Sequence, residues 1–264
     1  MFKLIVTDMD GSLLNNNKEL PIDIFEVIQH CENQGIEFAI GSGRSYQTLS
    51  TMFSSVKDKI SFICDNGAYV VSKNKVLFSS PIPKDKVDFF IKEGRKDPHV
   101  YTVLCTPTLS YFENSERIDS QSMEEILHYY PNCQNVDDLL EVDADVLKIC
   151  YLDPRGAENY IYQQLKPFNG NPRVVHSAHV WVDIVNADVN KGIGIEKLQE
   201  EFNLTHAETV IFGDYLNDLE MFQQASTSFA PINAHDDIKN LATEIIGSND
   251  EWSVVNKIKE LVNY

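Results

Sequence analysis

Leu4-Ile5-Val6-Thr7-Asp8-Met9-Asp10-Gly11-Ser12-Leu13-Leu14 is the stretch on which the reading of this chain turns. A short apolar run rich in β-formers ends in two carboxylates one residue apart, which predicts a buried strand. Side chains alternate along a strand, so Asp8 and Asp10 leave its end on the same side. Gly11 permits a sharp turn, and Ser12 adds a hydroxyl beside the pair. Two carboxylates this close conflict: either one carries a proton or a cation sits between them. A hard divalent ion such as Mg²⁺, which favours carboxylates and water, resolves the conflict. Taken alone, Asp-x-Asp-Gly reads equally well as a solvated turn after a strand.

Outward from this stretch, strands and helices alternate. Leu20 to Gly35 carries Ile24, Val27, Ile28 and Cys31 at helical spacing, with Pro21 near its start and Gly35 as its stop. Ile36 to Ile40 reads as a second strand ending in Gly41-Ser42-Gly43-Arg44, and a helix follows to about Phe53. Ser61 to Cys64 reads as a third strand, ending in Asp65-Asn66-Gly67-Ala68. This alternation predicts an α/β fold, a parallel sheet with crossover helices.

At Pro81-Ile82-Pro83, a hinge-like tripeptide, the pattern changes. A helix is predicted from Lys84 to about Lys96, strands at Val100–Cys105 and near Tyr111, and a helix around Ser122–Tyr130. A strand at Val146–Leu152, a helix over Ala157–Phe168 and a hairpin of Arg173–His176 with His179–Val185 follow. The block reads as a separate α+β unit, so the predicted division is 1–82 with 188–264 as a core and 83–187 as an insert. The opening pattern resumes with a helix after Lys191 and a strand at Thr209–Phe212, which ends in Gly213-Asp214-Tyr215-Leu216-Asn217-Asp218. A helix through Gln224, a short strand at Ser228–Ala230 and helices from about Asp236 and over Ser253–Val262 complete the reading.

The 264 residues suffice for two domains, and 43% hydrophobic with 23% charged residues is ordinary for a globular chain. A formal net charge of −18 argues against a nucleic-acid partner and against docking on an anionic membrane. Any anion site must therefore be built locally, from a metal, a lysine and backbone amides. The cysteines Cys31, Cys64, Cys105, Cys133 and Cys150 form no C-x-x-C pair, which fits reduced thiols and a cytoplasmic location. There is no secretory pattern, no run of membrane-spanning length, no repeat, and no evident obligate protein partner.

Three polar clusters follow apolar runs directly: Asp8 with Asp10, Ser42 with Gly43, and Asp214 with Asn217 and Asp218. In an open parallel sheet, ligands bind outside the carboxyl ends of the strands, so these loops can converge. Lys191, at the head of a helix, supplies a fixed positive charge. Singly, each has a plainer reading: a Gly-Ser-Gly turn, a solvated lysine, a helix cap at Asp214. Jointly they form a complete kit for phosphoryl transfer.

In these motifs the chain resembles the haloacid dehalogenase-like hydrolase superfamily, and more narrowly the Cof-type phosphatases with a C2B-type α/β cap between the second and third motifs. The first motif is Asp8-Met9-Asp10-Gly11-Ser12, the second Ser42 within Gly41-Ser42-Gly43-Arg44, the third Lys191, and the fourth Gly213-Asp214 through Asn217-Asp218. Asn66-Gly67-Ala68 and Asn233-Ala234 also resemble turns common in that group. Ser12 and Ser42 stand where threonine is commoner, and Asp65 before Asn66 departs from the pattern.

The resemblance implies a Rossmann-like core with helices on both faces and an inserted cap. It implies Asp8 as the nucleophile, forming an aspartyl-phosphate, and Asp10 as the acid and then the base. It implies Mg²⁺ held by the Asp8 carboxylate, the Asp10 carbonyl and Asp214, with Asp218 orienting a metal-bound water. Ser42, Lys191 and amides near Gly11 and Gly43 would hold the phosphoryl oxygens. Asn217 and Arg44 would contact phosphate or substrate, or Arg44 would face the cap. Linkers near Pro81–Pro83 and Ala187–Asn190 would let the insert act as a lid. His176 and His179 read as surface residues, and Tyr129, Tyr130, Tyr160 and Tyr162 as packing.

The expected function is a Mg²⁺-dependent phosphatase for a small phosphorylated metabolite, with sugar phosphates leading over nucleotides, flavin mononucleotide and pyridoxal phosphate. A phosphomutase of similar build needs cationic grip on a second phosphate, and the insert is poor in arginine (Arg95, Arg117, Arg155 and Arg173). A binding module without catalysis is the third reading.

Overall fold

The computed structural model describes residues 2–264. They form two units, one made of the segments up to Ser79 and from Asn190 onward, the other Ser80–Val189. The first unit contributes β1 (Leu4–Asp8), α1 (Ile24–Asn33), β2 (Glu37–Gly41), α2 (Tyr46–Met52), β3 (Ser61–Cys64), β4 (Tyr69–Ser72) and β5 (Lys75–Ser79). The second contributes α3 (Lys84–Gly94), β6 (Tyr101–Cys105), β7 (Ser110–Glu113), α4 (Ser120–Tyr129) and β8 (Cys133–Val136). It continues with β9 (Lys148–Leu152), α5 (Ile161–Leu165), β10 (Arg173–Ala178) and β11 (Trp181–Val185). The chain returns to the first unit with α6 (Lys191–Phe202), β12 (Thr209–Phe212), α7 (Leu219–Phe222) and β13 (Thr227–Pro231). Last come α8 (Asp236–Leu241), β14 (Glu244–Ile246) and α9 (Ser253–Val262).

Every residue of β1 is buried, as a strand covered on both faces and both edges must be. The first unit's sheet has the order β14-β13-β12-β1-β2-β3-β4-β5. From β14 to β3 all neighbours are parallel. One face packs Leu4, Val6, Ala39, Ile63 and Ile211 against Ile195, Leu198 and Phe222 of α6 and α7. On the other face α1 lies on β2 and α2 on β3, with Phe53 edge-on to Phe62 at 6.2 Å. Each of these side chains larger than alanine contributes roughly 1.5–3 kcal/mol by leaving water.

The sequence reading missed the antiparallel hairpin β4–β5. Ser72 faces Lys75 across a two-residue turn, where Lys73 and Asn74 have φ of 48° and 67°. That is the turn whose twist suits paired strands, but Lys-Asn is a weaker signal for it than Asn-Gly. Strands β8 and β14 were also missed; β14 has only three residues.

The second unit has its own sheet, in the order β10-β11-β9-β6-β7-β8. Leu104, Ile149, Tyr151, Val182 and Ile184 form one face, packed with Val87, Phe90 and Ile161 from α3 and α5. Val103, Cys105, Cys150, Leu152 and Trp181 form the other, with Ile126 of α4. The single helix expected over 157–168 is broken instead. Tyr160 takes φ −124° and ψ −93°, and 3₁₀ turns at Ala157–Asn159 and Lys166–Phe168 flank α5. Pro167 removes a backbone donor in the last of these turns. Among the described residues no helix is long and apolar enough to cross a membrane.

Candidate active site

The strand order places β1 between β2 and β12, with β3 next to β2. Parallel register aligns Thr7 with Ile40 and with Phe212, so the chain leaves all three strands at the same edge. That edge is the topological switch point, where the chain runs one way from β1 to β2 and later returns on the other side with β12. The polar clusters after these strands meet there for this reason.

Asp8, Asp214 and Asp218 each offer a carboxylate oxygen within 4.8 Å of the others, and all three residues are buried. The Lys191 ammonium lies among them, 2.5 Å from Asp8 Oδ1 and 2.6 Å from Asp218 Oδ1, with its side chain fully buried. Its helix starts there because Asn190 caps α6, the Asn190 Oδ1 accepting from the Ile193 amide at 3.0 Å. The other oxygen of Asp218 accepts from the amides of Asp214 and Tyr215 at 3.0 and 3.2 Å. Asp214 accepts from Ser12 Oγ at 3.0 Å. Gly11 makes this approach possible: its φ is +86°, and a Cβ there would run into the Asp214 carboxylate.

The electrostatics follow from burial. Three carboxylates share the cluster with one ammonium, which pairs with two of them. Burial pushes the Asp8 carboxyl well above the usual range; Lys191 pulls it back, and Asp218 and Asp214 add to the rise. Burial, then the charge of Asp218, pushes Asp214 up to about 6. Burial disfavours the charged Lys191, but Asp218 and Asp8 outweigh it and hold the ammonium firmly protonated. The acidic surplus and the all-oxygen donor set fit a hard divalent cation.

Asp10 sits apart from this cluster. Arg44 grips its carboxylate with two bonds, Nε at 2.9 Å and Nη2 at 2.8 Å, and Lys18 adds a contact at 2.9 Å. Burial alone would raise its pKa, but Arg44 and Lys18 outweigh it and hold Asp10 below the usual carboxylate range. Ser42 is buried, and its Oγ accepts from the Arg44 amide at 3.1 Å, a bond that does not use the hydroxyl hydrogen. Gly43 packs beside Asn66, and Asn217 Nδ2 donates to Asn66 Oδ1 at 3.1 Å.

The model of the haloacid dehalogenase-like hydrolases matches residues 5–258. The chain belongs to that family. Among its relatives is the 5-amino-6-(5-phospho-D-ribitylamino)uracil phosphatase YbjI of Escherichia coli (strain K12), 28% identical over 99% of this chain and 97% of that one. Another is the 5-amino-6-(5-phospho-D-ribitylamino)uracil phosphatase YitU of Bacillus subtilis (strain 168), 25% identical over 97% of this chain and 96% of that one. The solved structure of the sugar phosphatase BT4131, of subclass IIB of the family, superimposes with a TM-score of 0.76 at 20% identity, covering 98% of each chain. The α/β core with its inserted unit is thus the family's fold, and the chain is an enzyme, a phosphatase of this family.

Sequence reasoning gave no place to Lys18, a polar loop residue with φ 64° that reaches Asp10 only in the folded chain. Asn233 was noticed only as part of a familiar turn. Its Nδ2 donates to the Gly11 carbonyl at 2.8 Å and its Oδ1 accepts from the Asn249 amide at 3.0 Å, which ties down the turn after β1. Asn249 carried no signal in the sequence.

Proposed function

We propose that the protein is a Mg²⁺-dependent phosphatase that hydrolyses a small phosphate monoester through an aspartyl-phosphate on Asp8. The observation that carries this reading is the buried cluster of Asp8, Asp214 and Asp218 around Lys191. Asp8 and Asp214, with the Asp10 main-chain carbonyl, would hold the ion. It would neutralise the acidic surplus and the charge of the phosphoryl group. Asp218, with both oxygens engaged, positions Lys191 and the loop after β12.

Asp8 attacks phosphorus in line with the leaving oxygen, and the P–O bond to the alcohol breaks as the bond to Asp8 forms. Lys191, the Ser42 hydroxyl, the Gly43 amide and Asn217 hold the phosphoryl oxygens. Asp10 protonates the departing alkoxide, then takes a proton from the water that cleaves the acyl phosphate. Arg44 and Lys18 hold Asp10 in the ionised form needed for the second step. For the first step they must release it to take up a proton.

The leading substrate class is a primary phosphate on a polyhydroxylated carbon chain. A sugar phosphate has this chemistry, and so does the ribityl phosphate in the names of the two relatives. Selectivity for the organic part is assigned to residues 80–189, and free thiols at all five cysteines fit a cytoplasmic enzyme. Phosphate release from a panel of sugar, polyol, nucleotide and cofactor phosphates, with Mg²⁺ and with chelator, tests the reading. Mg²⁺-dependent release from one class supports it. Absence of release from every ester would overturn it.

A further inference from the structure

The turn after β3 is the most unusual backbone near the site. Asp65, Asn66 and Gly67 are three successive residues with positive φ, at 48°, 55° and 99°. Only glycine adopts this region freely, and asparagine tolerates it better than most residues. A costly conformation persists only where its surroundings hold it, and here they do so at three places. The Asn66 amide donates to the Ser42 carbonyl at 3.0 Å, and the Asp65 amide to the Arg44 carbonyl at 3.0 Å, which pins the loop after β2. A Cβ at Gly67 would overlap the carbonyl of Asn190, the residue that caps the helix carrying Lys191. The Asn66 side chain makes the third link: its Oδ1 accepts from Asn217 Nδ2, and its Nδ2 would lie 3.1 Å from a Cβ at Gly43.

We propose that Asn66 is a positioning residue that fixes the Asn217 amide and the Ser42–Gly43 loop relative to each other at the phosphate end of the site. The inference rests on the phosphatase reading. Asn217 is exposed, and a solvated side chain there would sample several rotamers. One of its two amide hydrogens is committed to Asn66, so the direction of the other is set. The same Asn66 amide packs against Gly43, so one side chain joins the loop after β2 to the loop after β12. Other bonds hold each loop separately, and Asn66, on a left-handed turn at the end of the fully buried β3, links the two to each other. Asn66 itself makes no contact with the reacting atoms in this account; it acts through Asn217 and Gly43.

The deciding variant is Asn66→Gly, which keeps the left-handed backbone accessible and removes only the side chain. With para-nitrophenyl phosphate and Mg²⁺, kcat/KM is expected to fall about 10- to 100-fold, the range a misplacement of about 1 Å produces. Asn217→Ala is expected to fall comparably, and adding Asn66→Gly to it should cost less than about threefold more, because the link to Asn217 is already gone and only the packing against Gly43 remains to lose. Asn66→Gly activity within about twofold of wild type would overturn the inference, as would effects that multiply fully in the double variant. A parallel cycle read by urea unfolding needs no turnover. Non-additive unfolding effects support the link, and additive effects overturn it. If the wild type hydrolyses nothing, the phosphatase reading fails on its own and the urea cycle still decides the pair.

Discussion

Replacing Lys191 by methionine keeps most of the side-chain volume and removes the one ammonium among three buried carboxylates. In the wild type that ammonium bonds Asp8 at 2.5 Å and Asp218 at 2.6 Å. Removing one partner of a buried ion pair costs about 3–5 kcal/mol, because the charge left behind has lost water and gained nothing. Against a total stability of about 5–15 kcal/mol this is a large fraction. The loss should depend on pH. Acids with raised folded-state pKa values bind protons in the folded chain that the unfolded chain releases, so their penalty is absent in acid and grows as pH rises through the window. Asp8 and Asp214 are already displaced upward in the wild type, and without Lys191 that displacement increases. The assay is urea unfolding in chelator at about pH 5 and about pH 8, each variant against its parent. Fluorescence of Trp252 in a Trp181→Phe background reports the first unit alone, since Trp181 belongs to the second. A deficit below about 1 kcal/mol at pH 8, or one that does not shrink at pH 5, would refute the assignment of Lys191 as the compensating charge.

Asp8→Asn should abolish phosphate release while raising the urea midpoint in chelator, because one buried negative charge is gone; detectable turnover by a pure sample removes Asp8 as nucleophile. Asp214, pushed up to about 6 from an ordinary 3.8, destabilises the metal-free fold by up to about 3 kcal/mol once the pH exceeds both values. Mg²⁺ should therefore raise the thermal midpoint more at about pH 7.5 than at about pH 5, where protons already neutralise the cluster; calorimetric scans with and without the ion check this. Gly11→Ala forces a Cβ against the Asp214 carboxylate at φ +86°, and activity should fall by more than about tenfold with a stability loss of about 1–2 kcal/mol. Equal kcat/KM in Gly11→Ala and wild type would count against the close approach.

The parts of the molecule legible in sequence were those with a local signal. β1 was readable because it is apolar throughout and ends in two carboxylates, and α9 because its buried face repeats at helical spacing. Lys191, Asp214 and Asp218 can be joined to Asp8 from sequence because the β-α alternation sends all of them to one edge of a parallel sheet. The illegible parts depend on partners far along the chain. Lys73-Asn74 makes a hairpin turn without the usual Asn-Gly, and β14 is a short strand that exists only because β13 lies beside it. The Arg44 grip on Asp10 spans 34 residues, and nothing in Gly-Ser-Gly-Arg says which carboxylate the guanidinium will meet.

Charge connects the site to the rest of the chain. With a formal net charge of −18, the protein's long-range field repels a phosphate dianion, and screening weakens that field only beyond about 8–10 Å in ordinary salt. The cluster itself carries more carboxylates than ammonium, so at neutral pH it too opposes an anion until something positive is added. Lys191 cannot do this alone, because both of its close contacts are with acids. A bound divalent cation, as proposed, would reverse the local sign in a buried place where each charge counts for more than in water. On the proposed reading the metal would be needed for the phosphate to bind at all, as well as for the chemistry that follows. That proposed ordering would let a strongly acidic chain work on anionic substrates.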